Sequence, residues 1–135
     1  MHRLNEHYTE SKGLHLNYSI ITDMIEAGKN VIDLGCGDGT LTKMLKDKGV
    51  RVSGIDINQD NIVKCLEKGL SVIQGDIDEG LQEYPDNSYD YAVLNQTLQS
   101  VEKPDYVIRE MLRVAKHVLS LIHISEPTRH LRISY

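Results

Sequence analysis

The stretch Asp33-Leu34-Gly35-Cys36-Gly37-Asp38-Gly39-Thr40 constrains this chain more than any other. It follows the apolar run Val31-Ile32-Asp33-Leu34 and precedes Leu41, Met44 and Leu45 at helical spacing. A buried strand that passes into a helix through closely spaced glycines needs a sharp backbone turn. The missing Cβ atoms leave room above that turn for a ligand. Helix N–H groups point outward there, where negative charge is favourable. The spacing departs from the dinucleotide fingerprint G-x-G-x-x-G, because Gly39 comes four positions after Gly35, Thr40 takes the fifth, and an acid precedes the turn. A carboxylate at Asp33 repels a pyrophosphate and suits a cationic amino group.

Strand and helix signals alternate on either side of the turn. Leu14, Leu16, Ile20, Ile21, Met24 and Ile25 mark a helical lead-in that ends at Ala27-Gly28. Thr40 is the expected N-cap of the next helix and Gly49 its stop. A second strand is expected over 50–57. Asn58 then caps a helix with Ile62, Val63 and Leu66 on one side, closed by Gly69. A third strand over 70–73 ends at Gln74-Gly75-Asp76, and residues 78–87 read as one helical turn and a loop. A fourth strand covers 89–95. Pro104 opens a helix over 104–116 in which Val107, Ile108, Met111, Leu112 and Ala115 share a face. Such alternation with short connections predicts an α/β fold with a doubly wound, mostly parallel, Rossmann-like sheet.

Asp33, Asp56 and Asp76 fall at three successive strand ends. Taken singly, each is an ordinary helix cap or solvated strand end. Together, around the glycine turn, they point to a ligand. Asp56, 21 residues after Gly35, is placed to accept both hydroxyls of a ribose. Ile57 beside it can cover an adenine face, and Asp76 can accept from an adenine amino group.

Composition narrows the partners. Fifteen Lys/Arg against twenty Asp/Glu give a net charge of −5, which excludes a generic basic nucleic-acid footprint. The chain has no Phe and no Trp to stack bases. No run approaches the roughly 18 apolar residues of a spanning helix, and the start MHRLNEHYTESKG lacks the apolar core of a signal peptide. Cys36 and Cys65 form neither a CxxC nor a zinc pattern, so a reducing cytoplasm and no metal are expected. Cys36 reads as a small filler rather than a nucleophile. His15 and Tyr18 would reach the mouth of the site if the lead-in folds over it.

Asp33–Thr40, the acid at Asp56 and Gln74-Gly75-Asp76 resemble the class I S-adenosylmethionine-dependent methyltransferases. More closely, VIDLGCGDGTL, VIQGDIDEGL, PDNSYDY, LNQTLQ and REMLRVAK are similar to the methionine biosynthesis protein MetW family, over about Lys29 to Lys116. The resemblance implies S-adenosylmethionine as cofactor. It places Asp33 near the methionine amino group, with Gly35, Cys36, Gly37 and Gly39 passing beneath. Asp56 would hold the ribose diol with Ile57 against the adenine, and Asp76 would read the adenine amino group with Ile77 alongside. Asn95 and Gln96 would face the methionine moiety and the reactive methyl. The family implies a role in methionine synthesis alongside homoserine O-acyltransferase. No catalytic residue is assigned, and the methyl acceptor does not follow from the motifs. An alternative is a methyltransferase with an unrelated small-molecule acceptor; a weaker one is an NAD-binding protein of the same sheet type.

The tail reads differently. LSLIHISEPTR at 119–129 back-translates to a transposase-type sequencing adapter, and Ile133-Ser134-Tyr135 matches its continuation beyond an index-like stretch. The expectation is a cofactor-binding domain over 1–118, incomplete at its C-terminal end, with a non-native tail at 119–135.

Overall fold

A computed structural model describes residues 18–95 and 101–120, and the backbone of 131–134. The elements in chain order are α1 (18–24), β1 (Asn30–Leu34), α2 (Thr40–Lys48), β2 (Arg51–Asp56), α3 (Gln59–Glu67), β3 (Val72–Gln74), a 3-10 turn (Ile77–Glu79), β4 (Tyr89–Leu94), α4 (Pro104–Val114), β5 (Ala115–Ser120) and β6 (Leu131–Ser134). They build one six-stranded sheet in the order β3-β2-β1-β4-β5-β6. Strands β1 to β5 are parallel, and β6 is antiparallel to β5. The doubly wound α/β reading therefore holds. The chain reverses direction across the sheet between β1 and β4, and in open parallel sheets ligands bind outside the strand C-termini at such a point.

Strict alternation on the central strands separates two cores. Ile32 and Leu34 of β1, Ala92 and Leu94 of β4 and Val118 of β5 pack on one face with Val107, Met111 and Val114 of α4. Val31, Val93 and Leu119 pack on the other with Ile21 and Ile25 and with Leu41 and Leu45 of α2. Asp33 shares the parity of Val31, so its carboxylate is driven beneath α2 rather than into solvent. A smaller cluster of Cys36, Cys65, Leu70 and Val72 lies under α3.

Several local expectations are corrected. The N-cap of α2 is Gly39, in the left-handed region at φ 88, and Thr40 is already helical. There the Asp38 carboxylate accepts from both the Thr40 amide and its hydroxyl. On α3, Val63 and Leu66 face solvent at 47% and 57% exposure, and Cys65 is the buried residue. The space between α3 and the glycine turn admits only a small side chain. The third strand begins at Val72 because Leu70 is still tied to the end of α3, its amide donating to the Cys65 carbonyl. Helix α4 stops at Val114, and Ala115 is extended and pairs with Tyr89 as the first residue of β5. That strand runs to Ser120. Asn58, Gly49 and Pro104 cap and open their helices as read from the sequence.

The connection that returns to β4 is held by Arg113 of α4. Its guanidinium donates to the Leu81 and Tyr84 carbonyls and to the Asp86 and Glu110 carboxylates, and Glu110 in turn accepts from the Leu81 amide. The loop over 80–88 is thus fixed by polar bonds as well as by Leu81 and Tyr84 against the helix that precedes β5.

Two of the positive-φ glycines, Gly28 and Gly39, separate strain from packing. A Cβ on Gly39 would stand 2.6 Å from Leu70 Cδ1 and 2.9 Å from Cys65 Sγ, whereas one on Gly28 meets nothing within 4 Å. Gly28→Ala therefore loses about 1 kcal/mol through backbone strain alone. Gly39→Ala adds overpacking and loses about 3 kcal/mol. Urea titrations of the two variants check the difference.

Candidate cofactor site

The glycine turn is stitched to β2 by backbone bonds. Gly35 and Cys36 amides both donate to the Ile55 carbonyl, at 2.7 and 3.0 Å, and the Gly39 amide donates to the Cys36 carbonyl. The Gly37 amide donates to Asp56 Oδ2 at 2.8 Å. These four N–H groups are committed inside the turn and do not form a cradle for a pyrophosphate. Meanwhile a Cβ built on Gly37 would meet nothing within 4 Å, so the turn opens onto free space. The arrangement offers a floor for a ligand without a phosphate grip.

Asp33 lies at the centre. It is 0% exposed. Its Oδ2 accepts from the Thr42 hydroxyl at 2.8 Å, and its Oδ1 has no hydrogen-bond partner. Burial pushes the carboxyl up to about 7; Thr42 and the Asn95 side chain work against that rise, and the charge of Asp56 adds to it. The Asn95 amide acts on the carboxylate through proximity, short of a well-formed bond to Oδ1. An orphaned buried carboxylate oxygen is costly unless a cation or N–H donor reaches it. The site fits a ligand that carries an ammonium.

Asp56, at the tip of β2, is 9% exposed. Besides the Gly37 amide, its carboxylate accepts from the Asn58 amide at 2.9 Å and weakly from Asn61 Nδ2 at 3.4 Å. Of about four lone-pair sites on a carboxylate, one on Oδ2 stays free and a second is held only by the weak Asn61 contact, so two hydroxyl donors can be accepted once Asn61 yields. Ile57 follows with 61% of its surface exposed, an apolar face at the edge of the same opening. The Gln74 side chain donates to the Ile57 carbonyl at 3.0 Å, which ties the ends of β2 and β3 together. Asp76 caps the 3-10 turn through the Asp78 amide. A cavity of about 250 Å3 opens beside it, lined by Ile55, Ile73, Gly75, Ile77 and Tyr84 among others.

The structure brings Asp33, the turn and Asp56 together, with Asp76 on the neighbouring strand end. Two expected contacts are placed differently from the rest. Ile77 is buried in the α4-side core. The Cys36 side chain packs with Cys65 under α3, leaving its backbone to the turn. Burial, reinforced by the Asp33 charge, pushes the Cys36 thiol far above its ordinary range, consistent with a filler and not a nucleophile. Asn95 ends β4, its amide bonded to the Leu34 carbonyl. Gln96 and His15 lie outside the described residues. Tyr18 does reach the site: its hydroxyl donates to Asn95 Oδ1 at 3.1 Å. Thr42 and Gln74 were not anticipated. Thr42 carried a signal, a hydroxyl on the apolar face of α2 between Leu41 and Leu45.

The family model described as methionine biosynthesis protein MetW matches residues 15–125. The chain belongs to the MetW family. It is 35% identical over 115 residues to a bifunctional methionine biosynthesis protein MetXA/MetW of Rhodopirellula baltica, covering 78% of this chain and 18% of that one. It is 33% identical over 125 residues to a ubiquinone biosynthesis O-methyltransferase of Pseudomonas fluorescens, covering 85% and 54%. Among solved structures it resembles the [4+2]-cyclase SpnF, with a TM-score of 0.69 and 27% identity over 78% of this chain and 43% of that one. It also resembles a SAM-dependent methyltransferase of Methanosarcina mazei, with a TM-score of 0.64 and 28% identity over 75% and 55%. The chain thus spans under a fifth of the MetXA/MetW protein and about half of the methyltransferase relatives. A MetW-type protein on the methyltransferase fold is established by these likenesses. The presence of a cyclase among them shows that the fold alone does not set the chemistry.

The buried acid gives a pH signature. Because the folded-state value of Asp33 is raised from 3.8 to about 7, the folded protein binds more protons than the unfolded chain between those values. Stability from this group is complete below about pH 4 and falls as pH rises toward 7. Asp33→Asn removes that slope, and above pH 7 the variant recovers up to about 4 kcal/mol relative to the parent's own trend. Urea midpoints of both proteins from pH 4 to 8 check it, with the difference isolating Asp33 from the other carboxylates.

Proposed function

We propose that this chain binds S-adenosylmethionine and acts in methionine biosynthesis together with homoserine O-acyltransferase. The observation that carries the reading is the orphaned, fully buried Asp33 oxygen beneath an open glycine turn, one strand from Asp56. In this reading Asp33 takes the methionine ammonium, and Gly35, Cys36, Gly37 and Gly39 form the floor. Asp56 accepts the ribose hydroxyls, Ile57 covers the adenine, Asp76 takes the adenine amino group with Ile77 behind it, and Asn95 and Gln96 face the sulfonium end. When bound, the cofactor supplies a methyl group on a positively charged sulfur. The acids of this chain bind and orient; no side chain among the described residues is assigned as a base, so positioning would carry any transfer.

Support for the partner comes from the Rhodopirellula protein, whose name joins MetXA and MetW in one chain. A second reading, transfer to an unrelated small molecule, is favoured by the likeness to ubiquinone biosynthesis O-methyltransferases. An NAD site is disfavoured by the committed amides of the turn. Two free cysteines are in keeping with a reducing cytoplasm.

Isothermal titration with S-adenosylmethionine tests the reading. The parent chain binds, and Asp56→Ala weakens binding about 100-fold, as expected for losing two charge-assisted hydroxyl bonds. An unchanged dissociation constant in a folded variant removes the ribose assignment, and no binding by the parent removes the reading. Co-purification with homoserine O-acyltransferase, set against methyl turnover on a metabolite panel, separates the two roles. Capture of the acyltransferase without turnover is the expected result.

A further inference from the structure

Resting on the S-adenosylmethionine reading, we propose that Tyr18 is a specificity-determining residue that recognises the α-carboxylate of the ligand whose ammonium Asp33 takes. An α-amino acid presents its carboxylate one carbon from its ammonium. A site that buries the ammonium against Asp33 therefore places that second charge at the rim of the same subsite, where it needs a donor. Thr42 is not available, since its hydroxyl already donates to Asp33 Oδ2. The Gly35, Cys36 and Gly37 amides are committed within the turn and to Asp56.

Among the described residues, Tyr18 supplies the donor. It lies in α1, half-buried, and its hydroxyl reaches across to Asn95 at the tip of β4, 77 residues away in sequence. Its ring is anchored against the core formed by Ile21, Ile25 and Val93. Burial, with the charges of Asp33 and Asp38, pushes the phenol up to about 12, so it remains a protonated donor. The bond to Asn95 Oδ1 is neutral, and exchange for a carboxylate acceptor gives a charge-assisted bond about twice as strong. Tyr18 thus complements Asp33: one group takes the positive end of the amino acid, the other the negative end.

The test is a cycle of two proteins and two ligands, measured by titration calorimetry on the full chain. S-adenosylmethionine carries the carboxylate; its decarboxylated analogue lacks only that group. Tyr18→Phe keeps the ring and removes the hydroxyl. The expected result is about ten-fold weaker binding of S-adenosylmethionine by the variant, with less than about two-fold change for the decarboxylated analogue. Equal losses for both ligands, or no loss for either, would overturn the assignment and reduce Tyr18 to packing. If the parent protein binds neither ligand, the S-adenosylmethionine reading fails first and this inference falls with it.

Discussion

A carboxylate with no exposure to water, sealed between a strand and a helix, is the constraint around which this molecule is arranged. Asp33 occupies a position that pattern alone would give to valine, and the fold answers with a Thr42 hydrogen bond on one oxygen and none on the other. Burying such a group half-satisfied costs free energy that a hydrophobic residue would not. The cost is consistent with a ligand whose ammonium completes the pair. Everything near it serves that geometry: α2 starts where the turn allows Thr42 to face inward, and β2 anchors the turn from the other side.

The second organising feature is that the turn satisfies itself. Main-chain N–H groups which in a phosphate-binding loop would face a ligand are bonded here to Ile55, Cys36 and Asp56. The surface left to a ligand is therefore uncharged backbone above, with carboxylates at its ends. This suits a molecule that is cationic at one end and carries a sugar diol further along. It also explains how a turn so similar in composition to a dinucleotide motif can serve a different ligand.

Much of this was legible in the sequence because it rests on local rules. The alternation of apolar runs and caps set out the parallel sheet, and Asn58, Gly49 and Pro104 behaved as their chemistry dictates. The three acids stood out because each follows an apolar strand. What escaped depended on three-dimensional fit. Val63 and Leu66 have the spacing of an inward face, yet the volume beneath α3 was already taken by Cys65, Leu70 and the turn. Gly39 displaced Thr40 as cap because a left-handed residue was needed at the corner, a demand no side-chain preference reveals. Gln74 bonding Ile57, and Tyr18 reaching Asn95, are contacts between segments whose proximity only the sheet order creates.

The cluster under α3 has a consequence for how the family can vary. A Cβ on Gly54 would stand 2.7 Å from Cys36 Sγ, and one on Gly39 would stand 2.9 Å from Cys65 Sγ. Two sulfur-bearing side chains are thus each matched to a residue with no side chain at all, on opposite sides of one turn. Such pairs exchange volume as units. A relative that carries alanine at the position of Gly54 should carry glycine or alanine at that of Cys36, and one that enlarges Cys65 should have moved its third helix outward. The coupling makes the floor of the site a shared property of four positions, inherited together or rebuilt together.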